Sequence, residues 1–119
     1  MSPPNVRRGQ IWLVDWSPGR GSEQLGRRPA LIIQTDAANT NPRYPNTIVL
    51  TLSTKGLNVA THVQIEPGPG NGLKEISWVK CEQILTISKD RLTTLWGTVS
   101  AADMRRIEAA TKTALSLAS

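Results

Sequence analysis

The rhythm of short apolar runs is what most constrains this chain. Gln10–Trp16 (QIWLVDW), Ala30–Thr35 (ALIIQT), Thr47–Ser53 (TIVLTLS), Thr61–Glu66 (THVQIE) and Ile76–Lys80 (ISWVK) each span five to seven residues rich in β-branched and aromatic side chains. Between them stand turn-forming stretches, among them SPGRGSEQLGRRP, DAANTNPRYPN and PGPGNG. Runs this short, punctuated this often, predict strands. Leu85–Ile87 and Leu95–Val99 are expected to supply a last short pair. The period changes at Ser100, which stands at an N-cap position with Asp103 three residues on to accept from first-turn amides. Met104, Ile107, Thr111, Ala114 and Leu115 then fall on one helical face. The pattern predicts a mostly β fold, a small and mostly antiparallel barrel or curled sheet closed by one C-terminal helix.

At 119 residues the chain is expected to be a single domain, 1–119. One cysteine, Cys81, excludes an internal disulfide framework and a Cys-rich zinc site, and one histidine, His62, excludes a His-rich metal centre. No metal and no cofactor are therefore expected. There is no long apolar run and the first ten residues are polar and Pro-rich, so neither a signal peptide nor a membrane span is read, and a cytoplasmic protein is expected. The formal net charge is +5, and residues 1–35 hold Arg7, Arg8, Arg20, Arg27 and Arg28 against Asp15 and Glu23. Such a balance serves solubility, but it also suits an anionic partner, nucleic acid being the commonest. Arginine in all five cationic positions favours the second reading, because its planar fork matches phosphate.

Most of the polar chemistry lies in Gly21–Pro29. Gly21 and Gly26 permit the turn, and Pro29 fixes φ where the second strand begins. Arg28, immediately before that strand, is held by the sheet, while Arg20 and Arg27 lie farther into the loop. A rigid cation at a strand end suits a phosphoryl-transfer site, since it reorganises little. Singly, a loop Arg is a solvated charge and Glu23 a turn carboxylate; clustered with Gln24 they favour function. Ser53 and Thr54 end the third strand beside the second, where a hydroxyl either caps the strand or donates to a phosphate. Lys80 and Glu82, at i and i+2, point to one face as an acid/base pair or a surface ion pair. Cys81 then points the other way, into the core. His62 reads as exposed or flanking a substrate, Trp12 and Trp78 as core, and Trp16 and Tyr44 as the better stacking candidates.

Arg8-Gly9-Gln10-Ile11-Trp12-Leu13-Val14-Asp15 resembles the R-G-D/E-I-W-x-V opening of the MazF/PemK (Kid) toxins of bacterial toxin–antitoxin systems. Gly21-Ser22-Glu23-Gln24 with Gly26, Arg28 and Pro29 resembles their signature G-S/H-E-Q-x-G-x-R-P. Lys80-Cys81-Glu82-Gln83, Thr86-Ile87 and Arg91-Leu92 are similar to their late D/E-Q-x-x-T-I-x-x-x-R-L segment, so the resemblance runs over residues 7–118. It implies an SH3-like antiparallel barrel of the MazF/CcdB type with a C-terminal helix. It also implies a homodimeric toxin of a type II system, blocked by a cognate antitoxin protein. The implied activity is sequence-specific, metal-independent cleavage of single-stranded RNA by an endoribonuclease. Attack by the RNA's own 2′-hydroxyl would leave a 2′,3′-cyclic phosphate, or a 3′-phosphate, and a 5′-hydroxyl.

Residue by residue, the resemblance makes Arg28 the catalytic arginine and puts Ser53 where members usually hold a catalytic threonine. Lys80 and Glu82 match an Arg and an Asp that act as acid and base in Kid-type members, and Glu23 matches a loop glutamate implicated in activity. Either Glu82 or Glu23 serves as the base. Arg20, Ser22, Gln24, Arg27, Thr54, Lys55, His62 and Gln83 are expected to bind RNA. The rival reading is a non-catalytic small barrel that binds nucleic acid or poisons DNA gyrase; the Gly21–Pro29 motif belongs to the ribonuclease branch.

Overall fold

The computed structural model describes residues 5–16 and 26–118. In chain order its elements are β1 (Gln10–Asp15), β2 (Arg27–Ile32), α1 (Asp36–Asn39), β3 (Asn46–Ser53), β4 (His62–Ile65), β5 (Ser77–Ser88), β6 (Leu92–Thr98) and α2 (Ala101–Leu115). The strands form one sheet in the order β4-β5-β3-β2-β1-β6, antiparallel at every neighbour. The mostly β expectation holds, with the helix last.

The two ends of the sheet are drawn together by the turn that follows β4. Thr98 N–H donates to the Gly70 carbonyl at 2.7 Å. A β-carbon on Gly97 would lie 2.1 Å from Gly70 O, and one on Gly72 would lie 2.2 Å from Trp96 O. Only glycine allows backbones to approach this closely. The PGPGNG stretch is thus more than a turn: it closes the curl where no strand pair does.

Alternation along the strands builds a core on each face of the sheet. Leu50, Leu52, Val63, Val79 and Cys81 share one cluster with Ile107 and Ala110 of α2. Trp12, Val14, Ala30, Val49 and Leu92 form the other. Ser100 caps α2 by accepting from Asp103 N–H at 3.0 Å, a bond worth about 1 kcal/mol. The Asp103 carboxylate accepts from Arg106 at 3.0 Å. On α2 the buried positions are Ile107 and Ala110, whereas Leu115, expected on the same face, is half exposed. Arg8 makes three anchoring contacts: its N–H reaches Asp36 Oδ1 (2.6 Å), its Nε reaches Ile33 O (3.1 Å), and its Nη1 pairs with Glu108 (2.7 Å). The first residue of the opening motif therefore ties the segment after β2 to α1 and α2.

Four boundaries differ from the sequence reading. Strand β2 starts at Arg27, so Arg28 and Pro29 lie inside it, opposite Val14 and Leu13. Helix α1, a single turn, occupies a stretch read as a connection. The expected strand at Ile76–Lys80 and the Leu85–Ile87 segment are one strand, β5, so Lys80 and Glu82 lie within a strand and not after one. Leu85 and Ile87 pair with Val49 and Thr47, and Leu95–Thr98 pairs with β1, so these two segments do not pair with each other.

Candidate active site

The strand register brings four of the expected site residues, Arg28, Ser53, Lys80 and His62, into two neighbouring rows of the sheet. Trp12, Ala30, Thr51, Lys80 and His62 are successive cross-strand partners over β1, β2, β3, β5 and β4. Next to this row, two residues along each strand, Arg28 is opposite Val14, and Ser53, Trp78 and Gln64 are successive partners. Paired residues of an antiparallel sheet share a face, and positions two apart lie about 7 Å from one another. The β2–β3 pairing ends at Ala30 and Thr51. Two residues beyond, Arg28 and Ser53 line the same cleft, of about 790 Å³.

That cleft is also lined by Thr54 and Lys55, as expected, and by Lys74, Glu75 and Trp96, which sequence reasoning missed. Its charged lining is three cations and one carboxylate, a balance that attracts a polyanion. Lys74 and Glu75 follow PGPGNG after one residue, Leu73, so the charge pair after the closing turn was the available signal. Trp96, and not Trp16 or Tyr44, brings an aromatic ring to the cleft. Trp16 packs against the second core cluster, and Tyr44 lies under the Lys89 ammonium, 5.9 Å from its ring centre. The Ser53 hydroxyl oxygen accepts from Lys55 N–H at 3.1 Å, which leaves the hydroxyl hydrogen to be donated.

The β5 strand carries its acid–base candidates on an irregularity. Thr51 pairs with Lys80 but Leu50 pairs with Ile84, so Cys81, Glu82 and Gln83 bulge out of the ladder with β3. Cys81 turns into the core as expected, where burial pushes its thiol up. Gln83 accepts from the Thr51 hydroxyl. Glu82 Oε2 lies 3.0 Å from His62 Nε2, and the other imidazole nitrogen, Nδ1, accepts from Leu57 N–H at 3.0 Å. An acceptor at Nδ1 puts the proton on Nε2, so the imidazole donates to the carboxylate. Burial pushes the Glu82 carboxyl up, but hydrogen bonds from His62, from its own backbone and from Thr61 outweigh that and hold it below the usual range. It is therefore ionised near neutral pH.

Of the two readings of His62, the exposed one does not hold: its side chain is only 9% exposed. Trp78 is likewise not core: half-buried on the site face, it lies under Gly56. Arg27 is exposed, opposite Asp15. Arg20, Ser22, Glu23 and Gln24 lie outside the described residues.

Residues 7–115 match the family of PemK-like, MazF-like toxins of type II toxin–antitoxin systems. An endoribonuclease MazF of Staphylococcus epidermidis is 43% identical over 90 residues, covering 73% of this chain and 72% of that protein. The solved structure of an endoribonuclease in complex with its cognate antitoxin, from Mycobacterial species, aligns with a TM-score of 0.76 at 28% identity, over 96% of this chain and 98% of that one. A MazE–MazF structure from Deinococcus radiodurans aligns with a TM-score of 0.78 over 97% of this chain and 100% of that one, and at 16% identity the likeness is one of fold.

Proposed function

The chain belongs to the PemK-like, MazF-like toxin family, and from that premise we propose a toxin endoribonuclease that cuts single-stranded RNA at the Arg28–Ser53 cleft. The observation that carries this reading is that Arg28 and Ser53 line one cleft, while Lys80, paired with Thr51 and His62, and the Glu82 carboxylate bonded to His62 lie one row along the sheet, outside the lining of that cleft. Cleavage by an internal nucleophile needs those three kinds of group: a base for the 2′-hydroxyl, donors for the crowded phosphorane, and an acid for the leaving oxygen.

Glu82 takes the 2′-hydroxyl proton while the O2′–P bond forms. Arg28 and the Ser53 hydroxyl donate to the phosphorane oxygens, whose charge exceeds that of the ground-state phosphate. Lys80 gives its proton to O5′ as the P–O5′ bond breaks. The products are a 2′,3′-cyclic phosphate and a 5′-hydroxyl, and the cations that stabilise the charge are side chains of this chain. Lys55, Lys74 and Trp96 hold the flanking strand by charge and stacking. Glu23 is the other candidate base.

The whole chain works as one toxin domain, as a homodimer in the cytoplasm, and a cognate antitoxin silences it by covering the cleft. Among the described residues no helix is long and apolar enough to cross a membrane. The test is incubation with single-stranded RNA in EDTA. Cleavage is expected to persist, to leave 5′-hydroxyl ends, and to stop when the scissile nucleotide is 2′-deoxy. Cleavage that requires Mg²⁺ and leaves 5′-phosphates would overturn the mechanism.

A further inference from the structure

We propose that His62 is a positioning residue that locks the β3–β4 loop and the Glu82 carboxylate into one arrangement, each held by a different nitrogen of the same imidazole. The loop side of the lock is Leu57 N–H donating to Nδ1 at 3.0 Å, and the strand side is Nε2–H donating to Glu82 Oε2 at 3.0 Å. The ring is fixed in place: its side chain is 9% exposed, and its own backbone N–H donates to Val59 O at 3.1 Å. Lys55, which lines the cleft, lies two residues before Leu57 in that loop. One side chain thus sets both the loop that meets RNA and the direction of the carboxylate that meets the 2′-hydroxyl.

The two bonds are conditional on each other. A neutral imidazole has one donor and one acceptor nitrogen, so acceptance at Nδ1 commits Nε2 to donate. A second proton on Nδ1 would set N–H against the Leu57 N–H and release the loop. The ionisable groups around the ring are Glu82 and Lys80 on β5 and Lys55 in the loop, while β3 presents the Thr51 and Ser53 hydroxyls. Of these, the one bonded to the ring is Glu82.

Asparagine and glutamine separate the two halves of the lock. His62→Asn places an oxygen where Nδ1 was, keeping an acceptor for Leu57 but removing the donor to Glu82. His62→Gln places an N–H where Nε2 was, keeping the donor and losing the acceptor. The carboxyl titration of Glu82, followed by carbon NMR on the full chain, should rise in His62→Asn and stay near the parent value in His62→Gln. The inference rests on Glu82 acting as base, so the acid limb of the single-turnover rate against pH should shift with the carboxyl in His62→Asn and be restored in His62→Gln. Nitrogen NMR of the parent should show the Nε2–H form. A Nδ1–H form, or an equal carboxyl titration in the two variants, overturns the proposal. A carboxyl titration that moves while the rate profile stays fixed upholds the lock and removes Glu82 from the role of base.

Discussion

Gly56 lies against the indole of Trp78 so closely that a β-carbon there would sit 2.2 Å from the ring's Cγ. Because Trp78 is the cross-strand partner of both Ser53 and Gln64, that contact seats the loop from Thr54 onward over the sheet face that holds the site. Loop placement and strand register are therefore coupled through one missing side chain.

Substituting Gly56→Ala should force either the loop or the indole to move. Overpacking of this kind costs about 1–3 kcal/mol. Denaturant unfolding should show that loss. RNA cleavage should fall further than the loss of folded protein explains, because Lys55 and the Leu57 N–H move with the loop. Unchanged stability together with unchanged cleavage would mean the loop does not rest on Trp78.

Asp36 gives a pH test of the Arg8 tie. Burial pushes its carboxyl up, but bonds from Arg8 N–H and Asn39, with the charges of Arg7 and Arg8, bring it below the usual value. A carboxyl depressed in the folded state adds stability that is present above its unfolded value, about 4, and lost as pH falls through the folded value. The parent should thus be more stable than Asp36→Asn at neutral pH. Their denaturant midpoints should converge as pH is lowered below about 4. A constant gap across that range would show that the Asp36 charge has no part in holding Arg8.

Cys81 should be inert in the folded protein. It is fully buried, and burial raises its thiol, so both access and thiolate formation are suppressed. A thiol reagent at pH 8 should label it only as fast as the chain opens, and labelling should become immediate in denaturant. Rapid stoichiometric labelling under native conditions would contradict its place in the core.

The strands β1 and β3 were legible as short apolar, β-branched runs between turn residues, and β4 from its period of two. Strand β5 was not, since the bulge at Cys81–Gln83 interrupts its pattern and makes one strand look like two. Arg28 was singled out from its place beside Pro29 and Ser53 mainly from the family resemblance, and the structure puts both in the lining of one cleft. The role of His62 was not, because it depends on a backbone amide five residues earlier and a carboxylate twenty residues later. Alternation gives the face of a strand; it does not say what folds over that face. Trp96 was missed for the same reason. Its position in the cleft follows from the turn at Gly70–Gly72 reaching β6, a contact between segments far apart in the chain.

Arg28 and Lys55 line one cleft but should fail in different ways. Arg28 is held within β2, opposite Val14, so in the proposed mechanism it would meet the phosphorane without reorganising. Its charge matters most where the phosphate charge is greatest, in the transition state. Arg28→Ala should lower single-turnover cleavage by about 10²–10³-fold, as loss of a preorganised oxyanion donor does, with a smaller loss of RNA affinity. Lys55 lies in the loop and attracts the strand before and during reaction alike. Lys55→Ala should weaken binding and reduce the slope of log affinity against log salt by about 0.7, the value for one contact to a single strand, while the rate at saturation changes little. Fluorescence anisotropy beside single-turnover rates, at two salt concentrations, separates the two. If Arg28→Ala loses affinity and rate in equal measure, its charge acts on bound RNA generally and the transition-state role passes to Ser53 and Lys80. If it binds and cleaves as the parent does, the cleft at the end of β2 is not where the phosphate reacts.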